Sequence, residues 1–157
     1  MPREIERKFL VTSDAWRGRA AGVTYRQGYL SMVPERTVRV RTADGDAYLT
    51  VKGLTTDYRR LEFEYLIPLA EAEQMLALCE GPLIEKTRFK IPHAGKIWEV
   101  DEFLGDNRGL IVAEVELSSS TEDVTVPDWI GAEVSGDPRY YNSNLAVTPF
   151  SRWTQTG

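Results

Sequence analysis

Charge alternation constrains this chain more than any other feature. Acidic and basic residues recur at every second position in Glu4-Ile5-Glu6-Arg7-Lys8, Arg39-Val40-Arg41, Thr50-Val51-Lys52, Glu62-Phe63-Glu64, Lys86-Thr87-Arg88, Glu99-Val100-Asp101 and Glu114-Val115-Glu116. Successive side chains of a strand point to opposite faces, so each triplet places its charges on one face and its central residue on the other. A helix cannot satisfy that period. The chain therefore reads as mainly antiparallel β, with one strand face charged and the other apolar.

Turn and cap residues divide the chain into elements. Glu4 to Val11 and Tyr25 to Met32 read as strands, with Ser13 or Asp14 capping a short helical turn around Trp16 between them. Arg36 to Thr42 and Tyr48 to Lys52 form a hairpin across Asp44-Gly45-Asp46. Arg60 to Ile67 is a strand stopped by Pro68. Ala70 to Glu80 is the clearest helix: Leu69, Ala72, Met75, Leu76 and Cys79 share one face, and Gly81-Pro82 ends it. Ile84 to Ile91 and Ile97 to Phe103 pair across His93-Ala94-Gly95, and Leu110 to Leu117 closes the strand set. Ser118 to Glu122 starts a connecting helix or loop. Asp137-Pro138 is an N-cap followed by proline at the first helical position, so Arg139 to Ala146 reads as a short helix.

At 157 residues one domain is expected, spanning 1–148 with a loosely held tail over 149–157. About eight hairpin-linked strands tend to close, because closure removes exposed edges. Two arrangements suit the two faces. Either Ile5, Val40, Leu49, Val51, Phe63, Val100 and Val115 form a conventional core, with the charges outside as cross-strand ion pairs. Or the charges line an interior, and the apolar face packs outward under helices such as 69–79. An apolar outer face left uncovered would favour a homodimer.

The net charge of −5 argues against a broad nucleic-acid surface. No apolar run is long enough to span a membrane. The opening Met1-Pro2-Arg3-Glu4 lacks a signal-peptide core, and the lone Cys79 suits a reducing compartment, so a cytoplasmic protein is expected. Cys79 reads as a buried structural thiol. Arg3, Arg7 and Lys90 read as solvated, His93 as an exposed turn residue, and the tryptophans as packing, with Trp98 on the apolar layer.

The ordered set of triplets resembles the CYTH, or triphosphate tunnel metalloenzyme, superfamily. Glu4-Ile5-Glu6-Arg7-Lys8 matches its Glu-X-Glu-X-Lys signature. Arg26-Gln27-Gly28-Tyr29-Leu30, Arg39-Val40-Arg41, Thr50-Val51-Lys52, Glu62-Phe63-Glu64, Glu85-Lys86-Thr87-Arg88, Trp98-Glu99-Val100-Asp101, Ala113-Glu114-Val115-Glu116 and Arg139-Tyr140 follow in the family's order. The resemblance covers almost the whole chain and is nearest to short bacterial inorganic triphosphatases. It implies an α+β fold: an eight-stranded closed tunnel barrel with a charged interior and a few flanking helices.

The resemblance also implies roles. Glu4, Glu6, Asp101, Glu114 and Glu116 would be metal ligands, with Glu62 and Glu64 at a second metal site or supporting it. Lys8, Arg39, Arg41, Lys52, Lys86 and Arg88 would bind phosphate, and Arg139 would reach in from the C-terminal helix. Glu4, Glu6 and Lys86 would carry catalysis, with Lys86 at the reacting end near the water. The chemistry is coherent. Arginine and lysine neutralise a line of phosphate oxygens, and carboxylates can share that space only with a hard cation such as Mg²⁺ or Mn²⁺ between. Glu99 fits either the site or a cross-strand ion pair.

The sequence departs from the family pattern at Tyr141-Asn142-Ser143-Asn144, where more basic character is expected. The implied function is metal-dependent hydrolysis of inorganic triphosphate. Class IV adenylate cyclase, another organic-triphosphate enzyme of the superfamily, and a non-catalytic polyphosphate-binding module are the alternatives. No aromatic or amide cluster for adenine can be assigned. The paired carboxylates favour metal chemistry over simple binding.

Overall fold

The computed structural model describes residues 3–56 and 59–153, with side chains from residue 5 onward. Strands β1 (Arg3–Val11), β2 (Gly22–Ser31), β3 (Thr37–Ala43), β4 (Asp46–Lys52) and β5 (Arg59–Ile67) precede helix α1 (Leu69–Leu76). Then come β6 (Glu80–His93), β7 (Lys96–Phe103), β8 (Ile111–Glu116), β9 (Ile130–Glu133) and helix α2 (Asn142–Val147). The sheet runs β5-β4-β3-β2-β6-β7-β8-β1, and a β1–β5 pairing closes it into an eight-stranded antiparallel barrel.

The short β9 is an addition the sequence reading did not contain. β1 pairs with β5 through Arg3 to Ile5 and with β9 through Phe9 and Val11, so the two share one edge of β1 while β8 takes the other. A four-residue strand carries too little alternation to stand out.

Turn chemistry sets the hairpin registers. Asp44 (φ 52°) and Gly45 (φ 82°) form a two-residue turn with both central φ values positive, the form whose twist matches the flanking strands. Gly28 is required for a different reason. A Cβ there would lie 2.6 Å from Leu83 Cδ2 and 2.9 Å from Cys79 Cβ, so the absent side chain lets the segment after α1 pass close over β2.

The apolar strand faces point outward and are covered in patches. Phe9, Ile91, Trp98, Val100, Ala113 and Val115 lie beneath Trp16, from the loop after β1, and Trp129, from the segment before β9. Trp98 packs against Phe9 and Trp129 with ring centroids 5.5 and 6.3 Å away. Val40 and Ala47 are sealed by Ala72 and Leu76 of α1. The outer face of β5 lies beyond α1, and Leu61, Phe63 and Tyr65 are exposed there.

A third cluster lies inside the barrel. Ile84, Phe103 and Val112 are two residues from Lys86, Asp101 and Glu114 on the same strands, so they continue the inward rows. With Tyr29 they pack against Tyr140, Leu145 and Ala146, closing one end of the tunnel with apolar side chains. Charge thus fills only part of each inward row.

Three helical expectations differ from the structure. Residues around Trp16 form turns, with the Arg17 N–H donating to Asp14 O at 2.9 Å. Helix α1 ends at Leu76 because Ala77, Leu78 and Cys79 donate three residues back, tightening the chain out of the α form. Asp137 does cap the Arg139 N–H, but it starts a 3-10 turn over Pro138–Tyr140; extended Tyr141 (ψ 135°) separates that turn from α2. In the tail, Phe150 donates to Asn107 Oδ1 at 2.8 Å, and Trp153 stacks edge-on against Tyr140 and Phe150; residues 154–157 lie outside the described residues. No helix among the described residues is long and apolar enough to cross a membrane.

Candidate active site

The inward charges enclose a cavity of about 300 Å³. Lys8, Arg39, Arg41, Lys52, Lys86 and Arg88 all line it. Glu6, Glu62, Glu64 and Glu114 face the same space, as does Glu99. The two-residue period forces this convergence. Once the barrel closes with the apolar row outside, every alternate residue must point to the axis.

Acid and base interlock across strands. Glu64 Oε2 accepts from Thr50 Oγ1 at 2.8 Å and lies 3.4 Å from the guanidiniums of both Arg39 and Arg41. Lys52 Nζ is 3.2 Å from Glu62. Lys8 Nζ is 3.6 Å from Glu114 and donates to the Tyr140 carbonyl at 3.2 Å. Arg88 grips Asp101 through two hydrogen bonds of 2.7 and 2.8 Å and lies 3.4 Å from Glu99.

Asp101 is sealed beneath the basic layer. Its Oδ2 accepts from Lys86 Nζ at 2.7 Å as well as from Arg88, so both oxygens are engaged. Lys86 is also reached by Asn142 Oδ1 of α2, at 3.3 Å. The segment that departs from the family pattern therefore touches the cavity through Tyr141, Asn142 and Ser143.

Burial and neighbours set the protonation states. Burial lowers the Lys86 pKa to about 8; Asp101 opposes the shift and Arg88 adds to it. Burial opposes ionisation of Glu114, yet Lys8 and then Arg88 hold it well below the carboxylate range. Burial would likewise lower Lys8, but Glu114 and Glu6 raise it above its ordinary value. The fixed cations keep buried carboxylates ionised near neutral pH.

The remaining sequence-derived candidates fall elsewhere. Glu4 lies in β1 opposite Arg60, and its side chain is outside the described residues. Glu116 is exposed, opposite Glu6 in the β1–β8 register and off the cavity lining. Arg139 does not reach into the cavity: its guanidinium pairs with Asp137 at 2.9 Å and stacks over Tyr140 and Trp153. Within that 3-10 turn Tyr140 is buried in the apolar plug while Arg139 points outward. Lys90, expected to be simply solvated, stands at the lining.

Arg60, Tyr25, Tyr29 and Thr37 also face the cavity and were not picked out from the sequence. Arg60 carried a signal, since it shares the two-residue parity of Glu62 and Glu64. The tyrosines carried none, because an aromatic residue in a strand reads as packing.

The donor set suits a metal-bridged polyanion. The Nε atoms of Arg39 and Arg41 are buried without a hydrogen-bond partner, and a phosphate oxygen is the acceptor such donors match. Among the described residues, no three acidic, histidine or cysteine side chains converge to cage a cation. A divalent ion would therefore take one or two carboxylates, with phosphate oxygens and water completing its shell, which is how Mg²⁺ is commonly held.

Comparison with known proteins agrees with this geometry. The CYTH domain profile matches residues 2–141. An inorganic triphosphatase of Acetivibrio thermocellus is 51% identical over 156 residues, covering 99% of this chain and all of that protein. One from Nitrosomonas europaea is 36% identical, covering 92% of this chain and 97% of that protein. A crystal structure of an inorganic triphosphatase superposes with a TM-score of 0.66 at 34% identity, covering 92% of this chain and 97% of that one. With the family profile matched over most of its length and a charged, closed barrel to go with it, the chain belongs to the CYTH domain family.

Proposed function

We propose that this protein is a metal-dependent triphosphatase that converts inorganic triphosphate to pyrophosphate and phosphate inside the barrel. The observation that carries this reading is the convergence of Lys8, Arg39, Arg41, Lys52, Lys86 and Arg88 with Glu6, Glu62, Glu64 and Glu114 on one cavity. The two relatives named as inorganic triphosphatases support it.

Lys8, Arg39, Arg41, Lys52 and Arg88 bind the phosphate oxygens and stabilise charge on the transferred phosphoryl group and the leaving pyrophosphate. One or two of Glu6, Glu62, Glu64 and Glu114 would hold the metal, Mg²⁺ or Mn²⁺, with phosphate oxygens and water completing its shell. Asp101 can join them only by giving up contacts to Lys86 or Arg88. When bound, the metal would supply Lewis-acid polarisation of phosphate oxygens. Water attacks the terminal phosphorus, the bond to the bridging oxygen breaks, and pyrophosphate leaves with the electron pair. Lys86, with its pKa near 8, is available in part as the neutral amine to take the proton from that water at Nζ.

The aromatic lining favours an inorganic substrate over a nucleotide. Tyr25 lies under Arg41 and Arg88, and Tyr141 under Lys8, so these rings already face tunnel cations. A cytoplasmic location agrees with the free thiol of Cys79. The exposed Leu61, Phe63 and Tyr65 on β5 favour a homodimer, to be checked by light scattering.

Phosphate release from inorganic triphosphate, ATP and thiamine triphosphate tests the reading, with Mg²⁺, Mn²⁺ or EDTA present. Fast, EDTA-sensitive release from inorganic triphosphate is expected. Cyclic AMP from ATP, or tight metal-independent binding without turnover, would replace this reading.

A further inference from the structure

Four side chains alternate ring and cation across four neighbouring strands at one mouth of the tunnel. Tyr48 of β4 stands opposite Arg41 of β3 in the sheet register. The Arg41 guanidinium lies 5.9 Å from the Tyr48 ring centre and 4.9 Å from that of Tyr25 on β2. The Arg88 guanidinium, from β6 on the other side of β2, lies 5.0 Å from the same Tyr25 ring. Tyr25 is buried and borders both the charged cavity and the adjoining space at the Asp44–Asp46 turn.

The two arginines are not natural neighbours. Burial is the main influence that lowers the Arg41 pKa, to about 10, and repulsion from Arg39 and Arg88 adds to it. The acidic contact of Arg41 is weak: Glu64 is 3.4 Å away and shared with Arg39. Arg88 is held by Asp101. Arg41 thus rests on the two tyrosine faces as well as on a shared carboxylate. An aromatic face attracts a cation placed over it and does so more strongly where water is excluded.

We propose that Tyr25 is a positioning residue for the phosphate clamp: its ring holds Arg41 and Arg88 apart and ready for the phosphate oxygens before substrate arrives. The inference rests on the triphosphatase reading above. It adds that affinity depends on the electron density of one ring, because two mutually repelling cations fixed in advance need no reorganisation on binding.

The test varies that density at constant shape. Tyr25→Phe and two further forms, carrying 3,5-difluorophenylalanine or pentafluorophenylalanine at position 25, are assayed with inorganic triphosphate and Mg²⁺ or Mn²⁺. Tyr25→Phe keeps KM within about twofold of the parent, and KM climbs stepwise with fluorination to about tenfold, while kcat changes less. The unfolding midpoint stays level across the series, which separates positioning from packing. A flat KM across the fluorinated forms, or a tenfold loss already in Tyr25→Phe, overturns the proposal; the second result would assign the effect to the hydroxyl. A parent that releases no phosphate from triphosphate ends the functional reading and this inference with it, whereas an active parent with a flat series ends only this inference.

Discussion

Lys86 Nζ donates to Asp101 Oδ2 across 2.7 Å, with both side chains shut off from solvent. The same carboxylate holds Arg88 through two further bonds, so one buried anion fixes two cations of the cavity. Asp101→Asn removes the charge while keeping the shape, and leaves Lys86 without its paired anion and Arg88 with only the longer contact to Glu99. Breaking a buried pair in this way costs about 3 kcal/mol or more. Turnover is expected to fall by about two orders of magnitude, since two misdirected cations lose transition-state contacts of a few kcal/mol. Urea unfolding and steady-state kinetics check both; an Asp101→Asn protein of parental stability would contradict the structure.

Lys86 itself is held at a cost in stability. Its folded pKa of about 8 lies below the ordinary lysine value of 10.5. Between those values the unfolded chain retains a proton that the folded chain has released, so stability from this group rises with pH across that window. Below about pH 8 both states are protonated and the full penalty stands. Lys86→Met is therefore expected to lose hydrolysis yet unfold no earlier than the parent at pH 7. Its advantage should shrink by about 2 kcal/mol at pH 9.5, from 1.36 kcal/mol per pH unit. Unfolding of both proteins at the two pH values measures the difference; an advantage that grows with pH would reverse the assigned shift.

Glu64 ties Arg39, Arg41 and Thr50 together and is partly open to the cavity. Glu64→Gln keeps the Thr50 hydrogen bond while removing the charge. The metal concentration for half-maximal phosphate release should rise about tenfold, as for lost support around a metal site. An unchanged metal curve with a raised substrate KM would assign Glu64 to the arginines alone.

Gly28 tests packing away from the chemistry. A methyl at this position meets Leu83 and Cys79 at less than 3 Å. Gly28→Ala should destabilise by about 1–3 kcal/mol, the usual cost of overpacking. KM should stay near the parental value at temperatures where the variant is folded, because the crowded atoms belong to Cys79 and Leu83, which do not line the charged cavity. Thermal unfolding and a KM measurement at 20 °C separate the two effects.

Much of the site was legible because a strand has a period of two. Lys8, Arg39, Arg41, Lys52, Lys86, Arg88, Glu6, Glu62, Glu64 and Glu114 all declare their shared face in the linear sequence, and the structure brings all of them to one cavity. Arg139 shows the limit. Helical periodicity continues through Tyr141, but the backbone is extended there, and Arg139 points outward to Asp137 while Asn142 points inward to Lys86. Local propensity does not encode which way a short turn will face once it packs on a barrel end.

Alternation alone determined that β1 and β3 to β8 would each carry charges along one face, for that is a property of each segment. It did not determine which face is inside. Closure through β1 and β5, the covering of the apolar rows by α1, Trp16 and Trp129, and the Ile84–Phe103–Val112 plug decided that. These contacts join residues far apart in the chain, and only their combined burial makes it favourable to gather so many charges around one axis.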